Sequence, residues 1–479
     1  MILTTENKQE EIKVGSFYRK AGVDLKAAEE STRALAQSLK GIGHFAGFFP
    51  KKAGEVLPTW MMISMPEGIC RELLIRGKSP RLIPFLRRQI NKRLTAYGFQ
   101  ATYAVDYLGV GRLDPGVFHP IGRQFNRIED RLGFSIVGGE TAEMSDIYQP
   151  EKAELVFWIG AKKGDTPPPS WEEADRFHVV SIDGVGTKSV LALQCERVEG
   201  LPFDLVNHCV NDLLCTGATP RAFYAYIGKH SSVDDSVEQI IRENLAAACR
   251  EQGLQLMGCI TRVADDVYRP GQIDFVGVIT GEVAKDDVLT GEAVKIGDVL
   301  IGLPSSGLHT NGYSLIRKLI DFPRLKERLP SEVDSFAKLL LKPHRSYRGV
   351  IAKVRPYVKA IAHITGGGFY GNINRILPDG LKAVIRARIR TRGHWRWAWD
   401  RQPVYEVIDF ALRDLKEDFY TPGSDGTMEA FRVLNQGIGL VLIVSLGDYK
   451  KIETLLPWHF KIGRVARSKG DEVRVEVIF

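Results

Sequence analysis

Cysteine is scarce. The 479 residues hold six, Cys70, Cys195, Cys209, Cys215, Cys249 and Cys259, and no two are spaced as CxxC. That scatter argues against a disulfide framework and against a thiolate zinc site, and it fits buried thiols in a reducing cytoplasm. No apolar run approaches the roughly 20 residues needed to cross a bilayer. The opening MILTTENKQEEIK has no apolar stretch of the kind that forms a secretory signal, so no membrane association is expected. Runs of five or six like charges are missing too. The net charge of +7 is spread along the chain, and nucleic acid is not an expected partner. Neither GxxxxGK[ST] nor a GxGxxG between strand and helix occurs, so any nucleotide is held by neither of those loops.

What is present is a soluble globular composition, 44% hydrophobic and 26% charged, over a length that suits about three domains. The chain also repeats itself. Gln100 to Asp165 can be laid on Arg221 to Asp286 with an offset of 120 to 121 residues, RIEDRLGFSIVGGETAEMSDIYQP facing LAAACREQGLQLMGCITRVADDVYRP. Each half reads as a strand, a helix, a strand with a glycine turn, a loop ending in Tyr-x-Pro, and another strand. Upstream the match is looser, with INKRLTAYGFQ facing VNDLLCTGATPR. Between the copies, GDTPPPSWEEADR is a linker by composition, because three prolines in a row force an extended path. Beyond Val288 the apolar strands VLIGLP and AIAHI each run into a small-residue loop and then a helix, and GIGLVLIVSL and EVRVEVIF read as further strands. The expected organisation is a first α/β unit over 1–166, a linker over 167–176, a second copy over 177–286 and a C-terminal α/β domain over 287–479.

Several loops have the composition that phosphate and hard cations require. SIDGVGTK offers Asp183 for magnesium, Gly184 and Gly186 for close backbone approach, and Thr187 and Lys188 for phosphate oxygens. VND offers Asp212, and GGETAEM offers Glu140, Thr141 and Glu143. HITGGGF and SSGLHTNGYS bring His363 and His309 beside glycines. Each signal alone has an ordinary alternative: a structural turn, a helix cap, a solvated acidic loop, a core histidine.

Together these motifs are more specific. SFYRKAGVD, GIGHFAGFF, DGVGTK, VNDLL, GGETAEM, SSGLHTNGYSLIRK, AHITGGGFYGNINRILP and FRVLNQGIGL occur in this order apart from the position of GGETAEM, and the chain resembles the phosphoribosylformylglycinamidine cyclo-ligases. The resemblance implies ATP-dependent ring closure of formylglycinamidine ribonucleotide to aminoimidazole ribonucleotide in purine biosynthesis. It also implies ATP and Mg2+ as cofactors, with magnesium on Asp183, Asp212 and Glu140. Lys188 would neutralise phosphate, and Gly366, Gly367 and Gly368 would approach the substrate phosphate. Lys20 would sit in a lid over the nucleotide, and His309 and His363 would be unranked candidates for proton transfer. Two readings stay beside it: a related ATP-dependent kinase or synthetase with another substrate, and a nucleotide-binding pseudoenzyme.

The duplication departs from the family pattern of one N-terminal domain per chain. Each copy is damaged where the other is intact: Glu67 and Lys92 stand near the positions of Asp183 and Asp212, whereas Ile260 and Val263 replace Glu140 and Glu143. The expectation is that the copies pair as an internal pseudo-dimer β-barrel and share one composite site. The chain would then be a monomer, with a homodimer as the alternative.

Overall fold

The computed structural model describes residues 45–52, 59–112, 114–164, 168–319, 330–391, 394–414, 430–469 and 474–479. Lys20 and the lead around it lie outside the described residues. By internal packing the chain divides into two units. One holds the described residues up to Val190 together with Ala218–Val288, and the other holds Leu191–Gly217 with Leu289–Phe479.

In the first unit the duplication is visible strand by strand. The first copy runs β1 (Gly47–Lys51), β2 (Thr59–Ser64), α1 (Glu67–Arg76), α2 (Leu82–Arg93), β3 (Phe99–Val110), α3 (Pro115–Leu132), β4 (Ser135–Glu143) and β5 (Ala153–Lys163). The second runs β6 (Arg176–Gly184), α4 (Lys188–Gln194), α5 (Leu201–Cys215), β7 (Thr219–Lys229), α6 (Asp235–Glu251), β8 (Gln255–Val263) and β9 (Ile273–Ala284). One sheet has the order β2-β5-β3-β4 and the other β1-β6-β9-β7-β8, so both use one topology, and β1 is added to the edge of the second. β3 and β7 each pair parallel to the next strand and antiparallel to the last, with register shifts at matching places. Local chemistry repeats as well. Asp114 caps α3 by accepting from Gly116 N at 2.9 Å, and Asp234 caps α6 by accepting from Ser236 N at 2.8 Å.

The inner faces of the two sheets share one apolar core, in which Tyr103, Val105, Val156 and Trp158 meet Val180, Ile182, Tyr226 and Val278. The contacts across it are reciprocal. Gln149 N donates to Val267 O at 2.9 Å and Arg269 N donates to Ile147 O at 2.8 Å, on either side of the Tyr148–Tyr268 bridge. Gly109 and Gly228 accept these tyrosines at close quarters. A Cβ on either would fall within 2.0 Å or less of the hydroxyl of Tyr148 or Tyr268 respectively. Contacts that recur in mirrored pairs are the property of a two-fold, self-complementary interface. The expected barrel differs in one respect: among the described residues no strand pairing joins the two sheets, which face each other with open edges.

The second unit is built on the sheet β11-β15-β10-β16-β12-β17. Its strands are β10 (Val299–Pro304), β11 (Val358–His363), β12 (Leu381–Arg386), β15 (Ile438–Val444), β16 (Phe460–Arg467) and β17 (Val475–Ile478), with the hairpin β13 (Arg388–Thr391) and β14 (His394–Trp397) beside them. β10 and β15 are almost wholly buried, as unbroken apolar runs require. Among the described residues, the helices beside them are α7 (Tyr313–Leu319), α8 (Pro330–Leu340), α9 (Arg348–Val354), α10 (Gly368–Asn374), α11 (Val404–Asp414) and α12 (Leu446–Leu455), plus α5 from the middle of the chain. That last helix is a difference from the sequence division, which assigns it to the 177–286 copy. Every α5 residue but Phe203 is buried.

Candidate functional site

In the first unit, β6 ends on Asp183 and Gly184 and delivers the chain into the glycine turn. Asp183 Oδ1 accepts from Gly184 N at 2.6 Å, Val185 N is tied to Phe275 O at 3.1 Å, and Ser189 Oγ donates to Gly186 O at 3.0 Å. Gly186 has φ +59°, a conformation that favours glycine. Thr187 is buried, and Lys188, the first residue of α4, has no solvent exposure, so it does not lie on the open face of the turn.

The glutamates come from the other copy, and β4, which carries them, lies against β6. Glu140 is in register with Tyr107 on β3. A Cβ on Gly184 would lie 3.8 Å from the Tyr107 hydroxyl, so this tyrosine is the common neighbour of Glu140 and the Asp183 turn. Burial above all, then the charge of Asp274, with Glu140 contributing, holds the Tyr107 hydroxyl well above the ordinary tyrosine range. The register from Val105 to Val110 is unbroken, so side chains alternate between faces. Glu140 and Ala142 therefore share one face, and Thr141 and Glu143 the opposite one. The acidic loop does not present its two carboxylates together.

The counterpart position is closed. Where the first copy has Ala142, the second has Arg262, whose Nη1 lies 2.5 and 2.6 Å from the two oxygens of the fully buried Glu154 and donates to Ser64 Oγ at 2.7 Å. Burial raises the Glu154 carboxyl, and Arg262 opposes that rise. Glu67, the residue near the Asp183 position, is held by Lys152 Nζ at 2.6 Å. Ile260 and Val263 are exposed. Ala142 removes that guanidinium from the face that carries Glu140, so the two halves of the pair are chemically unequal.

The second unit gathers a different centre. His363 ends β11, Asp212 lies on α5, His309 lies between β10 and α7, and His344 lies between α8 and α9; all four are buried. His363 Nδ1 is 2.7 Å from Asp212 Oδ1, and its Nε2 is 3.0 Å from His344 Nε2. With a carboxylate oxygen accepting at Nδ1, a neutral His363 presents a lone pair at Nε2, and His344 Nε2–H donates to it. His208, one helical turn before Asp212, has Nε2 3.6 Å from Asp212 Oδ2 and Nδ1 2.9 Å from Thr310 Oγ1. His344 is anchored through its backbone: its N–H donates to Asp204 Oδ1 at 2.8 Å, and its carbonyl accepts from Asn207 Nδ2 at 2.7 Å.

The donor atoms of His309, His344 and His363 lie within 4.8 Å of one another. The rings of His309 and His344 stack at 3.8 Å with 20° between their planes. Two nearly parallel imidazoles have in-plane lone pairs that do not meet at one ion. The cluster is suited to moving protons. His309 has φ +64° and accepts from Ser306 N at 3.1 Å through Nε2, a strained backbone of the kind that collects at working sites. After β11, Gly367 (φ +86°) and Gly368 (φ +57°) turn the chain, and a Cβ on Gly368 would fall 2.0 Å from Phe431 O. Asn372 Nδ2 ties this turn down by donating to the carbonyls of Gly366 and Gly368 at 3.1 and 2.8 Å.

Of the residues expected from sequence, Asp212, His309 and His363 come together in the second unit, and in the first Glu140 and the Asp183 turn share Tyr107 as a neighbour. His344 and His208 are new. His208 has a legible signal, since Asp204, His208 and Asp212 recur at helical spacing; His344 has none.

The AIR synthase related protein N-terminal domain matches residues 91–160 and 171–283, and the corresponding C-terminal domain matches 295–476. The chain is 36% identical over 299 residues to a phosphoribosylformylglycinamidine cyclo-ligase of Staphylococcus saprophyticus, covering 61% of this chain and 81% of the relative. It is 40% identical over 276 residues to the same enzyme of Geobacillus thermodenitrificans, covering 56% and 72%. Among solved structures, thiamine monophosphate kinase from Aquifex aeolicus aligns with a TM-score of 0.43 and 14% identity, over 65% of this chain and 90% of that one.

Proposed function

The chain belongs to the phosphoribosylformylglycinamidine cyclo-ligase family, and from that premise we propose that it closes the imidazole ring of aminoimidazole ribonucleotide with ATP, releasing ADP and phosphate. The substrate is formylglycinamidine ribonucleotide. Phosphorylation of its formyl amide oxygen turns that oxygen into a leaving group; the amidine nitrogen attacks the carbon, and phosphate departs. Such chemistry asks the protein for charge neutralisation and for proton movement. The observation that carries the reading is the division of those tasks among intact groups: the Asp183 turn beside Glu140, and the Asp212–His363–His344 chain.

Within the first unit, the two copies act as an internal pseudo-dimer, Glu140 from one completing the phosphate turn of the other. The carboxylates of Asp183 and Glu140 are hard oxygen donors and suit Mg2+. Bound there, the ion neutralises phosphate charge. Backbone N–H groups at the Gly186 end of the turn donate to phosphate oxygens, and Lys188 adds positive charge from beneath. In the second unit, Asp212 orients His363 through Nδ1, so that His363 and His344 pass a proton between their facing Nε2 atoms. Asp212 is better assigned to this task than to magnesium, because its oxygens face imidazoles. Gly366 and Gly367 leave backbone open for close approach of the substrate phosphate, whereas Gly368 is packed against the Phe431 carbonyl.

Incubating the full chain with formylglycinamidine ribonucleotide, ATP and Mg2+ tests the assignment. Aminoimidazole ribonucleotide and ADP are expected in equal amounts. ATP turnover without ring closure would point to a related kinase or synthetase, and no magnesium-dependent turnover at all would point to a pseudoenzyme.

A further inference from the structure

In the first unit, α2 and α3 of the first copy line an open cavity of about 820 Å³. Arg87, Arg88 and Lys92 line it from α2, and Arg127 and Arg131 from α3; among the described residues no carboxylate lines it. None of these five cations is in an ion pair among the described residues. Arg87 Nη2 donates to the Arg131 carbonyl at 3.2 Å, and Arg88 lies over the Phe85 ring at 5.8 Å. Five like charges that converge without acids repel one another, and an anion is what relieves that repulsion.

The repeat gives an internal control. α2 occupies in the first copy the place that α5 occupies in the second, with Asn91 and Lys92 at the positions of Asn211 and Asp212. α5 is buried nearly throughout and contains no lysine or arginine. α2 buries only Leu82, Ile83, Leu86 and Ile90, carries four basic residues, and contains no acid. An uncovered helix needs polar residues to stay in water, but that need is met equally by either sign of charge. Here one sign alone was taken up on α2 and on the side of α3 that lines the cavity, whereas α3 carries Glu129 and Asp130 away from the lining.

We propose that this cavity is a binding site for a small polyphosphate-bearing ligand, of the nucleoside di- or triphosphate class. The volume suits such a molecule. The arginines offer forked donors to phosphate oxygens, and Ile83 and Pro84 supply an apolar wall for the rest of the ligand. The site does not depend on the ring-closing activity.

The test is calorimetric titration of the full chain with inorganic tripolyphosphate in low salt. The Arg88→Gln/Arg127→Gln double variant should weaken the tightest binding at least tenfold. Lys92→Asp, which restores the acid of the second copy, should do the same. All three positions are exposed, so the melting temperature should not move, and ring closure should be unchanged. Binding equally tight in both variants overturns the proposal. So does a duplex RNA that binds more tightly than tripolyphosphate with the same dependence on these residues, because the face would then be a nucleic-acid surface.

Discussion

Tyr107 of the first copy donates its hydroxyl to Asp274 Oδ2 of the second at 2.7 Å, and Tyr148 donates to the same oxygen at 2.5 Å. Asp274 stands 120 residues after Glu154, which the second copy grips in turn through Arg262. Each copy thus buries one carboxylate at the shared face and relies on the other to satisfy it.

Burial pushes the Asp274 carboxyl up to about 6, whereas an unfolded aspartate titrates near 3.9. Between about pH 4 and 6 the folded chain keeps a proton that the unfolded chain has released. This contribution to stability is full below that window, falls as pH rises through it, and is level above. Asp274→Asn should therefore flatten the pH dependence of the melting temperature between pH 4 and 6. Tyr107→Phe should destabilise by about 1–3 kcal/mol, more at pH 8 than at pH 5.

Removing Arg262 leaves Glu154 buried beside Ser64. Arg262→Ala should cost roughly 2–4 kcal/mol in denaturant unfolding, discounted for the partial exposure of the guanidinium. The double change Arg262→Met/Glu154→Gln should recover most of it. A single Arg262→Ala with unchanged stability would mean that the pair does not hold the copies together.

The copies are unequal in chemistry, so mutations at matching positions should differ. Glu140→Gln should lower kcat by about 100-fold or more and raise the Mg2+ concentration for half-maximal turnover. Ile260→Gln, at the equivalent place, should change kcat less than about twofold. Equal effects would end the composite arrangement.

His344→Gln tests the proton chain. A drop in kcat of about 10–100-fold is expected, with the pH–rate profile losing one limb and KM little changed. Asp212→Asn should have a larger effect, because it allows His363 the other tautomer. If His344→Gln lowers stability and leaves the pH profile intact, the residue is structural.

Pairing within the chain makes a separate partner for the first unit unnecessary. Light scattering of the native particle should give the mass of one chain. A stable dimer would show that other surfaces, outside the shared face, associate.

Much of this was readable from the residues. The 120-residue offset and the glycines of DGVGTK and HITGGG are patterns along the chain, legible without any tertiary contact. The split loss of motifs was equally legible. Where the reading failed, the cause was distance or direction. Glu140 and Glu143 sit three apart in a strand, and only the unbroken register with β3 sends them to opposite faces. Asp212 has the composition of a magnesium ligand, yet tertiary packing brings it to His363, 151 residues away. The basic residues of α2 are legible as a run, but only the fold sets Arg127 and Arg131 of α3 beside them.

The sequence by itself determined the family, the duplication and the strand and helix order, because those follow from patterns repeated over short windows. Only the tertiary structure set β4 against β6, brought His344 to His363, and gathered five cations around one cavity. Those depend on side chains from distant segments arriving at one point, and no local pattern encodes where two folded surfaces meet.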